Sequence, residues 1–245
     1  MNHFKPKAVF FDCWSTLITF HVKDEDWNTH ALKEHTLNRD TVDWAKVDSF
    51  ADDFFDGYYA SHSAYEITAH QFLSLLVRLF GLTLDTDIDT LTHDILTHLD
   101  PEPVKGIGDF LHYLDKEGIY YAVLSNTIYN DDDTLALIRK LIPAANPGFF
   151  LGSSDLGVKK PNPDFFRAGV LPTGYALADS MYVGDAFYQD VMGSHNAGFG
   201  ASIWLNWKEK DFRGIENEPW AKDVRYTEVR SYDELREKIE KGQLA

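Results

Sequence analysis

The sequence predicts an α/β fold: a doubly wound parallel sheet with an all-helical block inserted after its first strand. Three observations carry this reading. Lys7 to Asp12 is a short apolar run ending in a carboxylate, as a strand buried on both faces would be. From about Asp26 to Leu99 the apolar residues recur with a helical period, and no strand-like run interrupts them. Beyond the prolines at 101 and 103, short apolar runs alternate with helical ones. Alternation of this kind closes as parallel strands joined by crossover helices, because parallel neighbours cannot be joined by a tight turn. The expected division is a core made of residues 1–19 and 101–245, and a helical cap at 20–100.

The individual elements follow from local chemistry. Phe72, Leu75, Leu76, Leu79 and Phe80 make one helical stripe, which Gly81 ends. Asp100-Pro101-Glu102-Pro103 breaks the helical pattern, since proline disfavours helix in the residue before it. Ile107, Phe110, Leu111 and Leu114 mark a helix closed by Gly118, and Ile119 to Leu124 reads as a buried strand. Asp131 to Leu141 is helical, with three acids at its start that complement the helix dipole as a solvated run. Phe149 to Leu151, Met181 to Val183 and Ala201 to Leu205 read as strands. Helices are expected from Pro163, over Gln189 to Ala197 and over Glu234 to Lys241. Between Asn206 and Asp223, the aromatics Trp207, Phe212 and Trp220 are expected to cover the core edge.

Composition narrows the partners. The 245 residues include 39 acids and 23 lysines and arginines, a formal charge of −16. Nucleic acid and anionic membrane both demand dense basic surface, so neither is an expected partner. A small anion remains compatible if a lysine, a helix N-terminus or a divalent cation supplies local positive charge. Cys13 is the sole cysteine, so there is no internal disulfide; it reads as a small buried hydrophobe. The N-terminal apolar run is too short for a signal peptide and nothing approaches a membrane span, which makes a cytoplasmic location the expectation. The histidines form no zinc motif, and there is no phosphate-binding G-x-x-x-x-G-K-[ST] loop.

Ligands of open parallel sheets bind beyond the carboxyl ends of the strands. At those ends stand Asp12-Cys13-Trp14-Ser15-Thr16, then Ser125-Asn126, then Lys159-Lys160-Pro161 before the Pro163 helix, and finally Gly184-Asp185 with Asp190 beyond. An aspartate, a hydroxyl, a cation and further carboxylates able to hold a divalent metal can position a phosphoryl group and attack it. Ser125-Asn126 alone could cap a helix, and Lys159 competes with Lys160.

This order of motifs, spanning residues 8–198, resembles the haloacid dehalogenase (HAD) superfamily with a helical cap after its first motif and a Rossmann-like core. The resemblance implies that Asp12 is the nucleophile, that Ser125 and Asn126 meet the substrate, and that Lys160 neutralises charge on the nucleophile and the phosphoryl oxygens. It implies a Mg²⁺ site made of the Asp12 carboxylate, the Trp14 backbone carbonyl and Asp185. It also implies that Asp190 orients Lys160 or a metal-bound water. One position departs from the pattern. Family phosphatases carry a second aspartate two residues after the nucleophile as general acid; here that residue is Trp14, which cannot protonate a leaving group. The dehalogenase branch has an aromatic there but lacks the aspartate equivalent to Asp185. The phosphonate-cleaving branch uses a cap lysine, and Lys33 and Lys46 carry no local motif for that role. The expectation is a Mg²⁺-dependent phosphohydrolase acting on a small phosphorylated metabolite through an aspartyl-phosphate. Its alternatives are a hydrolase of small halo-acids, in which Trp14 would wall the substrate, and a non-catalytic binding protein on the same scaffold.

Overall fold

The structure is a computed structural model that describes residues 4–20, 27–60, 63–209 and 223–244. Its core is a six-stranded parallel sheet: β1 (Ala8–Phe11), β4 (Tyr120–Ser125), β5 (Phe150–Gly152), β6 (Ser180–Gly184), β7 (Ala201–Leu205) and β8 (Thr227–Val229). The spatial order is β5-β4-β1-β6-β7-β8, so the chain builds outward from β1 on one side and then returns to build on the other. The reversal opens a crevice at the carboxyl end of β1. Phe11 sits level with Val123 of β4 and Val183 of β6, which puts Asp12, Ser125 and Asp185 within about two residues of one another along the sheet edge.

All four β1 residues are buried, as a strand with helices on both faces requires. Val9 and Phe11 pack with Phe110 of helix α5 (Ile107–Lys116) and Tyr232 of helix α10 (Tyr232–Lys241). Ala8 and Phe10 face the other way, onto Phe165 and Phe166 of helix α8 (Pro163–Val170).

Between residues 27 and 98 the regular elements are helical, as the period predicts: α1 (Trp27–Glu34), α2 (Trp44–Ala60), α3 (Ala69–Phe80) and α4 (Ile88–His98). Thr68 begins α3 with a reciprocal capping box to Gln71, and Gly81 ends it in the left-handed conformation (φ 63°), which costs glycine little. An antiparallel pair of two-residue strands, β2 (Ile18–Thr19) and β3 (Glu102–Pro103), ties the two ends of this block together. Pairing that short leaves no period in a sequence. Leu32, Val47, Leu76 and Leu91 of the helices share one contiguous buried cluster with Val9 and Phe11. A second seam lies between α2 and α3: Glu66 N–H bonds Gly157 O (3.1 Å), and Lys159 N–H bonds Ala64 O (2.9 Å). No described helix is long and apolar enough to cross a membrane.

Several expectations shift. The fourth strand starts and ends one residue later than its apolar run, because Ser125 still pairs with Gly152 of β5. The helix expected over Gln189–Ala197 begins earlier, as a π-helical turn (Phe187–Met192) continued by α9 (Gly193–Ala197). Strand β8 and helix α7 (Ser153–Leu156) carry too few residues for a pattern to declare them. Phe212 and Trp220, expected at the core edge, lie outside the described residues, as does Asp26. Trp207 does lie against the core and donates its indole N–H to Ser15 O (2.7 Å).

Candidate active site

Asp12 leaves β1 at the crevice, and its N–H continues the sheet ladder onto Val183 O at 2.9 Å. Its carboxylate is buried, so its charge needs partners. Oδ1 accepts from Lys160 Nζ at 2.6 Å and from Ser125 Oγ at 3.0 Å. Ser125 is thus bound to the acid and caps no helix; Asn130 caps α6 (Asp131–Leu141) instead.

The Lys160 ammonium is fully buried and has three acceptors for its three N–H bonds: Asp12 Oδ1, Asp190 Oδ1 at 2.7 Å and the Tyr182 hydroxyl at 2.9 Å. Burial by itself would lower the lysine's pKa, but the charges of Asp12 and Asp190 outweigh it and hold the pKa above the ordinary value. Asp190 is raised from the usual carboxylate range chiefly by burial, with Lys160 opposing and Asp12 and Asp185 adding to the rise. Asp190 therefore meets Lys160 directly, and its other oxygen accepts the Ala186 N–H at 2.9 Å. The π turn sets this up, bringing Asp190 inward rather than leaving it as a solvated helix-start charge.

Asn126 grips the backbone of Lys160 from both sides: Lys160 N–H donates to its Oδ1 (2.8 Å), and its Nδ2 donates to Lys160 O (3.1 Å). It also lines the cavity, so the expected contact with substrate is joined by a positioning task. Lys160, rather than Lys159, reaches the nucleophile. Lys33 pairs with Asp48 and Lys46 with Asp43, and neither lines the cavity. Cys13 is fully buried, and burial followed by Asp12 pushes its thiol pKa well up, away from nucleophilic use.

Asp12, Asp185 and Asp190 are all buried, and one carboxylate oxygen from each lies within 4.8 Å of the other two. Three buried carboxylates gather at this edge against one ammonium, which pairs with Asp12 and Asp190, and the donors are all oxygen. That set fits Mg²⁺, a hard cation that takes one or two carboxylates and fills its shell with water and substrate phosphate.

A cavity of about 280 Å³ opens over Lys160 and Asn126, walled by Trp14, Phe20, Glu66 and Lys159. Trp14 both packs and walls: its ring meets Phe20 edge-on at 5.6 Å and Tyr129 at 6.3 Å.

Tyr182 escaped the sequence reading. It sits inside an apolar strand run, yet its hydroxyl donates to Leu124 O (2.7 Å) while accepting from Lys160. The available signal was a tyrosine in a buried strand, whose hydroxyl must find a partner. The acid run at 131–133 also departs from the solvated reading. Only Asp132 is exposed, while Asp131 turns inward to accept the Gly152 N–H at 2.7 Å. Burial, then the nearby Asp155, raises the Asp131 pKa to about 7.

Comparison with known proteins agrees with this fold. Solved structures similar across nearly the whole chain include a HAD phosphatase from Thermococcus onnurineus, at 19% identity, TM-score 0.60, and coverage of 97% of this chain and 99% of that one. The HAD-hydrolase YfnB from Bacillus subtilis, described as bound to magnesium, matches at 18% identity, TM-score 0.59, and coverage of 96% and 99%. The L-2-haloacid dehalogenase RSc1362 matches at 18% identity, TM-score 0.60, and coverage of 96% and 99%. At these identities the likeness is one of fold. No curated protein sequence matches significantly. The model of the haloacid dehalogenase-like hydrolases matches residues 6–198, the stretch that holds every residue of the site, and the chain belongs to that family of hydrolases.

Proposed function

We propose that the protein is a Mg²⁺-dependent phosphohydrolase that acts on a small phosphorylated metabolite through an aspartyl-phosphate on Asp12. The observation that carries this reading is the convergence of Asp12, Asp185 and Asp190 beside the Lys160 ammonium. Asp12, Asp185 and the Trp14 carbonyl would hold the ion, which when bound offsets charge on the phosphoryl oxygens. An Asp12 oxygen forms the bond to phosphorus as the ester or anhydride oxygen departs with its electron pair. Ser125 and Lys160 hold the carboxylate in place for that attack. Water then attacks phosphorus, the bond from Asp12 to phosphorus breaks back to a carboxylate, and the water's protons stay with the released phosphate.

With Trp14 at the position of the general acid, the leaving group must depart unprotonated. Acyl phosphates, anhydrides and aryl phosphates meet that condition; alkyl phosphates do not. The test is a leaving-group series run with and without Mg²⁺. The expected result is turnover that falls steeply as leaving-group pKa rises and vanishes with chelator; equal rates on aryl and alkyl phosphates overturn it. In the same series, Trp14→Asp should raise alkyl phosphate turnover relative to aryl by about 10²-fold, the lower range of general acid catalysis.

One observation favours a second reading. The aromatic wall of Trp14, Phe20 and Tyr129 suits a small halo-acid, whose halide leaves without a proton. Halide release from 2-haloacids that is indifferent to chelator is the result that would establish it.

A further inference from the structure

We infer that Trp207 is a positioning residue for the cation site: its indole holds Ser15 in a disfavoured backbone conformation and thereby fixes the direction of the Trp14 carbonyl. This rests on the Mg²⁺ reading, which assigns that carbonyl to the ion. Ser15 has φ 58°, in the left-handed region that a Cβ disfavours. Each peptide unit turns as one rigid plate, so the φ of Ser15 sets the plane of the Trp14–Ser15 peptide against the rest of the loop. The Trp14 carbonyl therefore takes its direction from Ser15.

The loop is pinned on both sides of that peptide. Ser15 N–H donates to Ile18 O at 2.6 Å, and Cys13 O accepts from the N–H groups of Leu17 (2.8 Å) and Ile18 (3.1 Å). The Tyr232 hydroxyl donates to Thr16 O at 2.7 Å. Trp207, just past the end of β7, donates its indole N–H to Ser15 O at 2.7 Å, and Lys208 donates to Ser15 Oγ at 2.9 Å from an exposed position. The Trp207 ring is half-buried against the core, so packing holds the donor itself in place. An indole N–H also brings no formal charge to an edge where buried acids already gather. The same strand serves the other backbone segment of the site: Trp204 of β7 donates its indole N–H to Asp185 O at 3.1 Å. Two indoles from one strand end thus grip the two loops that carry Asp12 and Asp185.

The test is calorimetric titration of Mg²⁺ into the chelator-treated full chain, for the wild type, W207F, S15G and the double variant. Phenylalanine keeps a ring against the core and removes the donor, and glycine adopts a positive φ at little cost. W207F should weaken Mg²⁺ binding by about fivefold or more, the size of the left-handed penalty that the bond offsets. In the S15G background the same substitution should have less than half that effect. S15V, with the indole intact, should also weaken binding, because a β-branched side chain resists this φ more strongly. Unchanged binding in W207F or in S15V overturns the clamp, and so does an equal loss from W207F in both backgrounds, which would make Trp207 a packing residue only. No Mg²⁺ binding by the wild type overturns the Mg²⁺ reading and the clamp with it, whereas wild-type binding that W207F leaves unchanged overturns the clamp alone.

Discussion

At the scale of single residues, the site depends on one buried cation. Lys160 balances two buried carboxylates, and taking one member from a buried ion network costs about 3–5 kcal/mol because the other charges remain unpaired. Lys160→Met should therefore unfold in urea at a lower midpoint by that free energy, measured with chelator at neutral pH, and lose hydrolysis; a midpoint equal to the wild type's would sink the account. Asp131 makes the opposite case, an acid held partly out of water. Its pKa, about 7, lies above the ordinary 3.8, so folding favours its protonated form. Its contribution is then fully present below pH 4 and is lost as pH rises through 7. Asp131→Asn can still accept from Gly152 and stays neutral, so its melting temperature should gain on the wild type between pH 5 and pH 8; a constant difference would contradict this. Asp12, Ser125, Lys160 and Asp185 were legible because each follows an apolar run or precedes a proline. Tyr182 was not, since a hydroxyl inside a strand does not declare which way its tip points.

At the scale of elements, the connection from β6 into the π turn shows why a glycine precedes Asp185. A Cβ on Gly184 would run into the Asp190 carboxylate, so this position has to be bare for Asp190 to reach Lys160. Gly184→Ala should cost about 1–3 kcal/mol as overpacking. It should also lower kcat at least tenfold through a displaced Asp190, with KM changed less. A variant of normal stability and activity would show that the close approach is not needed. Element boundaries set by local chemistry were readable, as with Gly81 after α3 and the Asn162-Pro163 start of α8. The π turn was not, because an apolar period cannot tell a widened turn from an ordinary one.

At the scale of the molecule, the strand order gathers distant pieces of chain at one crevice. A cation that binds only the folded site stabilises by mass action, about 2.7 kcal/mol at a hundredfold excess over Kd. Mg²⁺ should therefore raise the melting temperature of the wild type and leave Asp185→Asn nearly unmoved; equal shifts in both would place the ion elsewhere. The overall −16 does not by itself exclude a small anion, because two of the acids at this one edge are paired with the buried Lys160 ammonium. The sequence by itself determined which residues stand at strand ends and where helices stop, because period, capping and turn chemistry act within a few residues. The tertiary structure alone decided that Lys160 meets Asp12 across 148 positions, that Tyr182 and Asn126 hold that lysine, and that Lys159 lies at the seam with the helical insertion. Those contacts depend on strand order and on the packing of one element against another, which no local pattern encodes.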